Sequence, residues 1–145
     1  MRVETGARWA YGLGLAGLLP FWFLAIADVL DLKVPGLGGT AIGDALAVYA
    51  ATILAFLGGI RWGLAVGKGG NPSDYVVSVL PQLAGWACLL VPSPWRFVVL
   101  GLLILLLGPA DRHLVARGMA PDWFGRLRLI LSTGAGAALF LAALA

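Results

Sequence analysis

Leu46-Ala-Val-Tyr-Ala-Ala-Thr-Ile-Leu-Ala-Phe-Leu-Gly-Gly-Ile-Arg61-Trp62-Gly63 is the stretch on which the fold turns, because no charge stands between Asp44 and Arg61. With its flanks it forms an apolar block from about Ile42 to Val66, long enough to cross a hydrocarbon core that takes about 20 residues of helix. It shows neither the charged face at period 3.6 of a helix on a water-exposed globule nor the strict alternation of a half-buried strand. It is read as a transmembrane helix. Four further blocks repeat the pattern: about Trp9 to Leu30, Tyr75 to Val91, Pro94 to Arg117 and Asp122 to Ala145. Composition agrees, since 61% of the 145 residues are apolar and 12% are charged, about half the charged share of a soluble domain.

Turn formers and charges punctuate the blocks. Asp31 to Thr40 is a glycine-rich loop, Asn71-Pro72-Ser73-Asp74 precedes the third block, and Ser93-Pro94 offers an N-cap and a first-turn proline to the fourth. The fourth block runs through Gly108-Pro109, where a kink is expected, to a stop at Gly118. The expected fold is an all-α, five-helix transmembrane bundle in a single membrane domain. Five spans put Arg2, Arg8, Arg61, Lys68, Arg112, Arg117, Arg126 and Arg128 on one side and only Lys33 and Arg96 on the other. Cations stay inside, so the N-terminus is expected to be cytoplasmic and the C-terminus outside. Asp28, Asp31 and Asp44 gather on the outer side, with Arg96 as partner for one of them. A rival reading takes Met1 to Arg8 as the basic start of a signal peptide and Ala25-Ile26-Ala27 as its cleavage site. The first block is long for that role and Pro20 interrupts it.

Lipid removes the hydrophobic drive between helices, so small residues must let them approach. Gly59, Gly63 and Gly67 form a GxxxGxxxG register. Gly6, Ala10 and Gly14 repeat the spacing in the first block, as do Gly134, Ala138 and Ala142 in the fifth, beside Ser132 and Gly136. These faces are expected to meet inside the bundle, with docking to another protein as the alternative.

The polar residues that enter the blocks are few. Arg61 lies near the cytoplasmic end of its span, and the topology brings Asp111, Arg126 and Arg128 to the same edge. Three readings stand: a snorkelling arginine with Trp62 as interfacial anchor, an ion pair with Asp111, or a surplus of cations that holds an anionic lipid headgroup or a carboxylate ligand. In the third span Pro81 frees a carbonyl that Gln82 is placed to satisfy, or Gln82 contacts a polar ligand. Trp9, Tyr11, Trp62, Tyr75, Trp95 and Trp123 fall near span ends, where amphipathic rings settle without a ligand. His113 and Cys88 are the single histidine and cysteine, which gives no paired haem ligands, no metal spacing and no disulfide within the chain. No nucleophile sits in a recognisable motif and no phosphate-binding glycine loop follows a strand. The chain is expected to be no enzyme and to carry no cofactor. Its cations lie between apolar blocks, where they meet headgroups and not nucleic acid.

Tyr49 to Gly63 resembles an uncharacterised membrane family, that of domain of unknown function 3429, which includes the transmembrane protein 69 group. Gly14 to Phe21, Ser78-Val79-Leu80-Pro81 before Trp86, Asp111, and Pro121-Asp122-Trp123 leading to Arg128 and Leu131-Ser132 extend the resemblance over nearly the whole chain. Family members commonly carry serine where this chain has Ala55, which argues against a functional hydroxyl there. The resemblance implies a fold and a compartment, the bacterial inner membrane or its mitochondrial descendant, and no activity.

The leading expectation is a non-catalytic accessory or assembly subunit that docks on a larger, bioenergetic membrane complex, with membrane lipids and other membrane subunits as partners. The alternatives are a binder of anionic lipid, quinone or another amphiphile at the cytoplasmic edge, and a small oligomeric transporter or channel.

Overall fold

The computed structural model describes residues 2–37 and 41–145; Gly38, Gly39 and Thr40 of the first loop, and the side chain of Arg2 in the cation count, lie outside the described residues. The described chain is helical throughout: α1 (Arg2–Ala16), α2 (Leu18–Val29), α3 (Ala41–Lys68), α4 (Pro72–Cys88), α5 (Trp95–Ala116) and α6 (Asp122–Ala142). Four stretches are long and apolar enough to cross a membrane, Glu4–Val29, Ala41–Lys68, Trp95–Ala116 and Asp122–Ala142. The 17-residue α4 is shorter, about 25 Å at 1.5 Å per residue.

The first block is a rod broken at Gly17 into α1 and α2. Pro20 has no N–H for the carbonyl of Ala16 and its ring crowds that group, so the ladder is interrupted one turn earlier. The break is tied down from α3, where the Tyr49 hydroxyl donates to the Gly17 carbonyl at 2.8 Å and the Tyr49 ring meets Phe21 edge-on at 4.9 Å. Pro81 and Pro109, by contrast, are carried inside α4 and α5. Pro94 stands just before α5 and not in its first turn.

Successive rods run antiparallel. Along α3 and α4, Ala65 lies beside Gly70, Gly58 beside Ser78 and Ala51 beside Gly85. The ends of α3 and α5 meet through Arg96 and Asp44 at one edge and through Arg61 and Asp111 at the other. The tightest associations are the α3–α4 and α5–α6 hairpins; α2 lies against both α3 and α6, while α1 leans mainly on α6. Phe21, Leu46, Leu54, Phe97, Leu100, Ile104 and Leu139 form the buried centre. Large apolar side chains also cover the outside, Leu83, Trp86, Trp95 and Leu106 among them. That surface suits hydrocarbon and not water.

The GxxxGxxxG expectation is corrected. A Cβ built on Gly59, Gly63 or Gly67 meets nothing, so this face is turned outward and packs no helix of the bundle. The close approach falls one residue away, at Gly58, where a Cβ would strike the carbonyl oxygen of Ser78. One residue is about 100° of helix, enough to move the contact to another face. Of the first stripe only the Gly14 end packs, against Leu131, while Gly6 is exposed and meets nothing; the third turns inward, with Gly134 against Leu18 and Ala138 and Ala142 buried.

Gly58→Ala is therefore expected to cost about 1–3 kcal/mol, the range for forcing extra volume into a packed contact, since backbone cannot yield as a side chain can. Gly59→Ala should stay within about 0.5 kcal/mol of the parent. Unfolding in detergent compares the two, and equal losses would put the α3–α4 contact elsewhere.

Candidate functional site

α5 carries Asp111 one turn after Gly108, and α6 carries Arg128 one turn before Ser132. Gly108 is what lets these turns touch: a Cβ there would lie 2.9 Å from Cβ of Ser132. Arg128 Nε donates to Asp111 Oδ2 at 2.6 Å, and its Nη2 donates to Ser132 Oγ at 3.2 Å. From α3, Arg61 Nε donates to Asp111 Oδ1 at 3.0 Å. One carboxylate thus bridges two guanidiniums, each through a separate oxygen. Asp111 is 2% exposed and Arg128 4%; Arg61 is somewhat more open. The group holds two positive charges and one negative. Asp111 is the member the cluster cannot lose, because removing it strands two guanidiniums in low dielectric.

Of the residues the sequence placed at this edge, the structure joins Arg61, Asp111 and Arg128. Trp62 stands apart, half exposed, with its ring edge-on to Tyr75 at 5.0 Å. Arg126 is exposed and borders a polar depression with Arg112 and Asp122. Gln82 faces outward and forms no hydrogen bond among the described residues, so it does not satisfy the carbonyl freed by Pro81. At the opposite edge Arg96 selects Asp44, at 2.7 Å, from the three acids available.

Sequence reasoning missed a second pair at the same edge as Asp111. Arg117, just past α5, donates to both oxygens of Asp74, at 2.6 and 2.9 Å. Asp74 precedes the apolar run from Tyr75 and also accepts the Asn71 N–H at 2.9 Å. The Arg117 guanidinium, then the Asn71 N–H, hold this carboxyl at about 2, below its ordinary 3.8. The placement of both residues at one edge was the available signal.

Beside the arginine cluster lies a cleft of about 510 Å³ between α1–α2, α3 and α6. Its walls include Ala10, Leu13, Ile53, Phe56 and Leu131. Leu13 and Phe56, 68% and 63% exposed, rim a mouth that opens sideways from the bundle. Among the described residues Arg128 is the only charged one lining the cleft, and Trp123 supplies the only other polar side-chain atom. The indole nitrogen of Trp123 is buried and has no hydrogen-bond partner, although Tyr11 holds the residue's backbone carbonyl at 3.3 Å. Nothing in the spacing of these residues announced the cleft.

Asp111→Asn is expected to cost about 3–5 kcal/mol, the penalty for leaving buried charge unpaired, read by unfolding in detergent. A loss under about 1 kcal/mol, the size of a surface pair, would show both arginines to be satisfied without it. Asp74 behaves differently. Its folded-state value is depressed, so its stabilising contribution is full above 3.8 and is lost as pH falls toward about 2. The Tm gap between the parent chain and Asp74→Asn should close across that window. A gap still open at the acid end counts against the pair.

Comparison with known proteins places the chain. The family model described as "Protein of unknown function (DUF3429)" matches residues 6–144. Transmembrane protein 69 of Xenopus tropicalis is 34% identical over 128 residues, which covers 83% of this chain and 47% of that protein. Transmembrane protein 69 of Mus musculus is 32% identical over 121 residues, covering 80% and 47%. The chain therefore spans about half the length of the relatives it matches. No solved structure matches it. It is a helical transmembrane protein, and it belongs to the DUF3429 family of proteins of unknown function.

Proposed function

We propose that this protein crosses the bilayer five times, with its N-terminus cytoplasmic and its C-terminus outside, and that it holds a lipid-like amphiphile in the cleft beside Arg128. Support for the fifth crossing comes from α4, which runs antiparallel to α3 and turns Val76, Leu80, Leu83 and Trp86 outward. Support for the orientation comes from the eight-to-two division of cations in the sequence, with Arg61, Arg117 and Arg128 paired at one edge. The family resemblance supports a bacterial inner membrane or its mitochondrial descendant as the compartment.

The observation that carries the binding role is the cleft itself. It is of ordinary ligand-pocket size, its walls are apolar, its mouth faces where lipid would be, and among the described residues its polar side-chain atoms are confined to Arg128 and Trp123. A long apolar chain fits such walls, and the two polar groups give its head a fixed place.

A second reading, docking on a larger membrane complex as an accessory subunit, is favoured by the outward face of Gly59, Gly63 and Gly67. A face cleared of side chains suits close approach of another helix.

The cleft reading is tested by extracting the protein with its native lipids and identifying what stays bound by native mass spectrometry. A retained amphiphile in stoichiometric amount is expected, with about tenfold less in Ile53→Trp and Ala10→Phe, which fill the space from opposite walls. Equal retention by parent and filled variants would overturn the reading. A partner subunit in the same preparation, lost on Gly63→Phe, is the outcome expected of docking.

A further inference from the structure

The cleft's own donors say more about its occupant, on the premise that an amphiphile sits there at all. The Arg61–Asp111–Arg128 cluster has one positive charge left over. Asp111 has spent both oxygens, one on each Nε, and Ser132 takes Nη2 of Arg128. The third nitrogen of Arg128, Nη1, has no partner among the described residues, although the residue is 4% exposed. Trp123 lines the same cleft, and its Nε1 is a buried donor without an acceptor among the described residues. An indole N–H only donates, and so does a guanidinium. The polar side-chain atoms that the described residues bring to this apolar cleft are thus donors throughout, and the cluster to which Arg128 belongs carries one uncompensated charge.

We infer that the occupant is an amphiphile with a singly charged oxygen-acid head, bound by Arg128 with Trp123 as second donor. A carboxylate or a phosphodiester meets both demands: it offers several acceptor oxygens, and its single charge brings the cluster to neutrality. An amine head repeats the positive charge, an alcohol leaves it uncompensated, and a quinone carbonyl accepts a hydrogen bond but brings no charge. Length sets the other end. From Trp123 to Ala135 the cleft follows α6 for twelve residues, about 18 Å at 1.5 Å each, close to half of a hydrocarbon core about 30 Å thick. Head and tail together are therefore about as long as one leaflet, with the head in the half of the cleft nearer the start of α6.

The test uses the full chain in detergent with a fluorescent fatty acid, cis-parinaric acid, as probe, displaced by palmitate, phosphatidylglycerol, hexadecanol, hexadecylamine or decylubiquinone. Palmitate or phosphatidylglycerol should displace it about tenfold or more better than hexadecanol, which has palmitate's chain without its charge. Which acid wins assigns the head to a carboxylate or a phosphodiester. Arg128→Gln should fold, because it leaves Arg61 and Asp111 as a balanced pair, and should lose about tenfold in affinity for the acid. Trp123→Phe should lose less, and the parent's tryptophan emission should shift when acid binds. If hexadecanol competes as well as palmitate and Arg128→Gln changes neither, the acid head is wrong while the cleft reading stands. If parent and filled cleft variants bind none of these molecules, both fall.

Discussion

A single carboxylate shared by two arginines holds one edge of this bundle in register. Asp111 takes one Nε on each oxygen, Arg61 from α3 and Arg128 from α6, and so joins three helices at one level. In water such a group would weigh little. Here it is almost fully enclosed, and a charge without a partner at that depth costs several kcal/mol. The constraint spreads outward into sequence choices that have no charge of their own: Gly108 must lack a side chain so that the α6 turn reaches α5, and Ser132 must offer an oxygen to the outer nitrogen of Arg128. The far edge is built more loosely, with Arg96 on Asp44 and over the Phe97 ring at 5.1 Å. One end is welded and the other is only pinned.

The weld also explains where the bundle is open. The α3–α4 and α5–α6 hairpins close tightly through Gly58, Gly108 and Gly136, where a Cβ would clash with its neighbour, and through Gly85, where it would be a tight fit against Ala51. The first block is the remaining rod, and its break at Gly17 sends its two halves to different neighbours. α2 fills the space between α3 and α6, whereas α1 rests on α6 and leaves α3 uncovered. The cleft is the gap between them. Pro20, which costs the helix a hydrogen bond, and Tyr49, which takes over the Gly17 carbonyl, together set the angle that makes it.

Much of this was legible in the sequence because bilayer physics is strict. Block length, charge placement and the pairing of Arg61 with Asp111 all follow from the cost of polar groups in hydrocarbon, which leaves few arrangements open. What was not legible depends on rotation about helix axes. The Gly59, Gly63, Gly67 spacing announces a smooth face but not its direction, and the working contact lies at Gly58. Gln82 neighbours Pro81 and so reads as a partner for the freed carbonyl or for a polar ligand, but one residue along a helix is about 100°, and the side chain points out. Trp123 read as an interfacial anchor, since its place near a helix start is what such anchors show. Its buried indole nitrogen becomes visible only when α1 and α6 are set side by side.

In a bilayer, an apolar cleft that opens to the side is a place lipid can enter. Hydrocarbon walls offer an acyl chain hardly more than the surrounding lipid does, so apolar fit alone separates one amphiphile from another only weakly. Discrimination must come from the polar atoms, where the membrane interior supplies no competing water. In this cleft those atoms are two donors and one unbalanced charge, carried by Arg128 and Trp123. An arginine suits that position better than a lysine, because its planar fork can bind Asp111 and Ser132 through two nitrogens and still present a third. The residue that completes the structural weld is therefore also the one left facing the cleft, and the requirement that holds the helices together determines what the open side can recognise.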